Sequence, residues 1–110
     1  MNPGILNRKI ELQKNATPDQ TDEEGFLTPT WEVFARPWAE ITAVSGSEKI
    51  SAGGLIAKAS LKFRIRYREG ITAQHRVIYA QKAMNIVFVD DEDEAHRYLV
   101  LYCEVQENGG

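Results

Sequence analysis

Two histidines, one cysteine, an acidic run and a strand of alternating basic residues hold most of this chain's capacity for chemistry. His75 and His96 are isolated from one another, and Cys103 falls on the apolar side of an alternating segment, so no Cys/His spacing of a zinc site is present. A buried structural cysteine is the better reading of Cys103. The run Asp90, Asp91, Glu92, Asp93, Glu94 has the charge to attract calcium. It lacks the central glycine and terminal glutamate of a twelve-residue calcium loop, so a solvated acidic loop is expected instead. There is no Gly-rich Lys-Ser/Thr phosphate loop and no Gly-x-Ser-x-Gly elbow, which removes nucleotide hydrolysis and acyl transfer from consideration. The expectation is a protein that is not an enzyme and takes no cofactor.

The basic residues lie on the clearest local pattern in the chain. Leu61, Phe63, Ile65 and Tyr67 alternate with Lys62, Arg64, Arg66 and Arg68, which makes residues 61–68 a strand with one core face and one basic face. Three readings of that basic face stay open. It tracks phosphates of DNA; it is a solvated or ion-paired outer surface; or it meets the acidic 90–94 loop of a neighbouring subunit, where complementary charge fixes register.

The elements that position these residues are mostly strands. Residues 8–14 alternate with Ile10 and Leu12 on one side, whereas 15–30 are rich in Thr, Asp, Glu, Gly and Pro and read as an exposed, mobile loop. Asn15-Ala16-Thr17 within it spells a glycosylation sequon but reads as a turn. Residues 31–44 form one long strand bent at Pro37, which cannot donate to a ladder. Residues 76–79, 83–89 and 98–105 complete a set of six strands, the last with Leu99, Leu101, Cys103 and Val105 on one side.

Between the second and third strands, Ser45 and Glu48 have the spacing of a capping box, and Gly53 and Gly54 follow at the right place to stop a short helix. An irregular surface loop is the alternative. Residues 45–59, doubled back as a hairpin, reach about 25 Å, far enough to enter the lumen of a ring. Gly46, Glu48, Ile50, Gly53, Gly54, Leu55 and Ile56 are the residues of this segment singled out as a channel or partner loop. Its apolar members, Ile50, Leu55 and Ile56, either face a partner or cap the end of their own barrel.

Bulk properties agree with one small mainly-β domain: 110 residues, 43% hydrophobic, 26% charged, net charge -3. A six-stranded β-barrel with an inserted loop carrying a short helix is the expected fold, spanning residues 1–110, with 15–30 and 45–59 exposed. The acidic total gives no global attraction to polyanions. Residues 1–14 lack the apolar core of a signal peptide and no 18-residue apolar run occurs, so neither export nor membrane spanning is expected. The single cysteine suits a reducing cytoplasm.

The order of several segments resembles the phage head-tail adaptor, or head-closure, proteins. In the first half these are Leu6-Asn7-Arg8-Lys9-Ile10, then residues 33–41 with Trp38-Ala39-Glu40, then Ser45-Gly46-Ser47-Glu48. In the second half they are Phe63-Arg64-Ile65-Arg66-Tyr67-Arg68-Glu69-Gly70-Ile71-Thr72, Arg76-Val77, Asn85-Ile86, and Arg97 through Leu99, Leu101, Cys103 and Glu104. The resemblance spans nearly the whole chain. It implies a small barrel that joins a ring beneath the portal and its adaptor, retains packaged DNA and presents a surface to the tail. The implied partners are portal, adaptor and tail proteins and further copies of the chain in a ring, with packaged DNA close by in the channel and no membrane. The state of the free protein, monomer or ring, stays open. The implied location is the virion neck, and the host bacterial cytoplasm before assembly. In place of the family's tight Asp-Gly-type hairpin, this chain has Ala80-Gln81-Lys82-Ala83-Met84, without the residues that favour positive φ. A nucleic-acid-binding small barrel and a tail-completion protein are the alternatives.

Overall fold

A strand buries every second side chain, so segments with period-two patterning need a common core, and one curled sheet supplies it. The computed structural model describes residues 6–15 and 30–105. Within them lie eight strands, β1 (Arg8–Lys9), β2 (Glu11–Asn15), β3 (Trp31–Ala35), β4 (Trp38–Ala43), β5 (Leu61–Arg66), β6 (Arg76–Tyr79), β7 (Lys82–Asp91) and β8 (Tyr98–Val105), with one helix, α1 (Gly46–Ser51). They form a single antiparallel sheet of order β1-β4-β5-β8-β7-β6-β2-β3, curled into a half-barrel.

The expected six strands are therefore eight, and the extra two arise at facing breaks. Pro37 has no amide hydrogen, and the strand expected over 31–44 divides there into β3 and β4. Opposite it, the strand expected over 8–14 divides at Ile10, whose amide donates to the Pro37 carbonyl at 3.1 Å. Arg8 pairs with Ala39, Lys9 with Trp38, and Leu12 with Ala35, so the pairing resumes at the same offset beyond the breaks. Because β1 runs into β2 and β3 into β4, the two ends of the strand order are tied together by the chain itself.

The core sits inside the curl. Phe63, Ile65, Leu12, Val77, Leu101 and Cys103 are fully buried, joined by Ile10, Met84, Ile86 and Leu99, while Leu61 and Tyr67 pack against its margin. This is the apolar side of each alternation expected from the sequence, except that Val105 ends β8 exposed. Phe63 meets Tyr79 edge-on at 5.9 Å between ring centroids.

Other boundaries shift for local reasons. Strand β5 ends at Arg66, so Arg68 lies beyond the strand expected to carry it. Asp90 and Asp91 belong to β7, paired with Val100 and Leu99, and only Glu92–Glu94 leave the sheet, as a 3-10 turn. Ladder hydrogen bonds extend the sheet past the point where composition reads as loop. Asn15 ends a strand rather than opening a turn, and the rest of the sequon and of the 15–30 loop, up to residue 29, lies outside the described residues.

Candidate functional site

The helix segment and the outer face of β5 meet in one structure. Ser45 accepts from the Glu48 amide through Oγ at 3.1 Å, and its own amide donates to Glu48 Oε2 at 2.9 Å, which completes the capping box expected from the sequence. At the other end Ala52 closes the helix and Gly53 and Gly54 follow at φ +65° and +93°, a conformation that costs glycine nothing. Glu48 also pairs with Lys62 of β5. The Lys62 ammonium, the Ser45 amide and the Ser45 hydroxyl together hold the Glu48 carboxyl down at about 2. One carboxylate thus caps the helix and pins it against the sheet.

Residues 45–59 are consequently not an exposed loop throughout. Ile56 is 3% exposed and Ala59 is fully buried, so this part caps its own sheet. Ile50 and Leu55, at 83% and 62%, stand in solvent. The apolar trio thus divides, with Ile56 buried within the chain and Ile50 and Leu55 exposed. Between the segment and the outer face of the sheet runs a groove of about 460 Å³, lined by Ala52, Leu55 and Ile56 on one side and Phe88, Asp90 and Tyr102 on the other. Phe88 reaches that face because the β7–β8 register shifts between Ile86 and Phe88. Its ring lies 6.1 Å from that of Tyr102, whose hydroxyl pKa is raised, first by burial.

The basic row separates into two parts. Lys62 and Arg64 are ion-paired within the chain: Lys62 with Glu48, and Arg64 with Glu92 and, at 3.8 Å, with Glu40. The Arg64 guanidinium also lies 4.6 Å over the Tyr98 ring, while its buried Nε has no acceptor among the described residues. The basic strand and the acidic stretch are therefore brought together at Arg64 and Glu92 of the same chain. Arg66 and Arg68 remain exposed and outside this cluster. Sequence reasoning missed Phe88, Tyr102 and Glu40; strand alternation in 98–105 places Tyr102 outward, but no residue marks the register shift that turns Phe88 out.

The remaining titratable groups are held by burial or by contacts within the chain. Burial pushes the Cys103 thiol up to about 12, which leaves it protonated and inert. The Thr72 amide donates to His75 Nδ1 at 3.2 Å, and His75 packs on Phe34 with centroids 4.8 Å apart. Its pKa is lowered, chiefly by burial, which favours the neutral ring. His96 pairs with Asp91 at the surface and stacks near Tyr67.

A family model described as phage head completion protein matches residues 1–106. The chain belongs to the phage head completion protein family. No curated protein matches it in sequence. Among solved structures, this head completion protein is similar to protein SF1141 from Shigella flexneri 2a, with 29% identity over 99% of this chain and all of that one, at a TM-score of 0.75. It is also similar to a chain in the virion of a native gene transfer agent particle, with 26% identity, 90% of this chain and 94% of that chain covered, and a TM-score of 0.61. Family membership assigns the head completion protein a structural role in the phage head and neck.

Proposed function

We propose that this head completion protein closes the DNA-filled head beneath the portal and its adaptor, joins it to the tail and helps to retain the packaged DNA. The family match over residues 1–106 carries the reading, and the likeness to a chain of a gene transfer agent virion supports it. The whole chain acts as one domain. It works as a homo-oligomeric ring in the neck, is made in the host cytoplasm, and acts by shape rather than chemistry.

In that role the stiff curled sheet is the frame and residues 45–59 are the working part. The segment is anchored by Ile56 and by the Glu48–Lys62 pair, and carries Ile50 and Leu55 outward on α1 and the turn after it. Exposed apolar side chains on an anchored support suit a partner surface or the lining of a channel. In this reading the acidic stretch 90–94 lies at subunit contacts, where rim charges steer association and fix register. The tied ends of the strand order support reading the half-barrel as a closed barrel in function.

Disruption of the gene in its phage, followed by electron microscopy of the particles, tests this. Tailless heads that leak or lack DNA are expected. Full heads with tails attached would remove the assignment.

A further inference from the structure

Antiparallel partners place their side chains on the same face of a sheet, so the pairing of Lys9 with Trp38 puts a cation beside an indole. Lys9 Nζ lies 4.9 Å over the Trp38 ring, which nevertheless stays 53% exposed. Pairing of Ala39 with Ile65 sets Trp38 opposite Arg66 on the next strand. Trp38, Arg66, Tyr67 and Arg68 then line one depression of about 560 Å³, floored at its edge by Leu6 and Pro37. Among the described residues this lining holds no carboxylate, and Lys9, Arg66 and Arg68 enter no ion pair. That separates them from Lys62 and Arg64, whose charges are met within the chain.

We infer that Trp38, Lys9, Arg66 and Arg68 form a binding site for single-stranded nucleic acid. An exposed aromatic face accepts any base by stacking, and cations around it take the phosphates on either side; this combination defines sequence-tolerant single-strand sites. Lys9 and Arg66 come from the strands on either side of Trp38, whose backbones lie about 10 Å apart across the sheet, so a base on the indole has the Lys9 cation at the ring itself and Arg66 on the neighbouring strand. Arginine forks grip phosphate in two places, which strengthens the contact. A protein hot spot also uses Trp, Tyr and Arg, but it surrounds them with an apolar, charge-depleted centre. Here the aliphatic share is Leu6 and Pro37 alone, and the centre is cationic. The chain's net charge of -3 gives no global attraction to polyanions, so nucleic-acid binding has to come from a local cationic patch of this kind. The inference is independent of the neck assignment: it concerns a site that the apolar groove beside α1 does not include.

The test is fluorescence polarisation of a short labelled oligothymidylate with the full-length protein, its duplex form and polyglutamate serving as competitors. Saturable, salt-sensitive binding is expected, with the duplex and polyglutamate competing weakly. Trp38→Ala weakens binding about tenfold or more, the loss of one base stack, and Trp38→Phe largely retains it. Arg66→Glu with Arg68→Glu abolishes most binding and flattens its dependence on salt. All of these residues are exposed, so unchanged thermal melts are expected to accompany the losses. Absence of binding at low salt, binding indifferent to Trp38→Ala, or polyglutamate competing as well as the oligonucleotide would each overturn the inference, the last in favour of an acidic protein segment.

Discussion

Ala80 and Gln81 hold φ values of 53° and 65° in a two-residue turn between Tyr79 and Lys82, which pair directly. Left-handed backbone crowds the Cβ of any L-residue other than glycine at a cost of about 1–2 kcal/mol. The turn's tightness was not legible in the sequence, because neither residue favours positive φ; the β6–β7 ladder imposes it. Gln81→Gly is therefore expected to stabilise the protein by about 1 kcal/mol, a rise of roughly 4–8 °C in melting temperature for a domain of this size. A melt unchanged or lowered would place the strain elsewhere. Glu48 gives a second prediction at this scale. Its carboxyl is held at about 2 against an unfolded value of 4.5, so its stabilising effect is complete above pH 4.5 and lost as pH falls toward 2. Amide exchange at Glu48 and Ser45 should accelerate across that acid window, and Lys62→Met should move the window upward; exchange that ignores pH there would deny Glu48 its double role.

At the scale of elements, α1 was legible because its signal is local: Ser45 and Glu48 sit three apart and two glycines follow. The inward sets of β5 and β8 were legible for the same reason, since alternation fixes the buried face without knowledge of partners. The breaks at Ile10 and Pro37 and the shift at Phe88 were not, because each depends on what the neighbouring strand offers across the ladder. The same local patterning described Lys62 and Arg64 as a basic face without showing that Glu48, Glu40 and Glu92 would neutralise it. The 45–59 segment separates stability from function by residue. Ile56→Ala is expected to cost about 2–5 kcal/mol in denaturant unfolding, as a buried side chain does. Ile50→Asp with Leu55→Asp should leave unfolding unchanged and abolish head-tail joining in complementation. Full complementation by that double variant would remove the segment from the partner surface.

For the whole molecule, the sequence disclosed a small mainly-β domain, and the tied sheet realises it with strands broken at the facing Ile10 and Pro37 positions. Net charge described the surface poorly. Among the described residues the charge is sorted: paired across the middle of β5, and unpaired and positive around Trp38. Function was legible only through the ordered resemblance of segments, because a structural role in the phage head and neck leaves no reactive cluster to read. Head closure makes a demand on the assembled particle that no property of the isolated chain can replace. The most direct measurement adds purified protein to heads from a phage lacking this gene and follows nuclease-protected DNA and tail attachment together. Restoration of both is the result expected. Heads that keep their DNA and accept tails without the added protein, or that gain neither when it is supplied, would contradict the assignment.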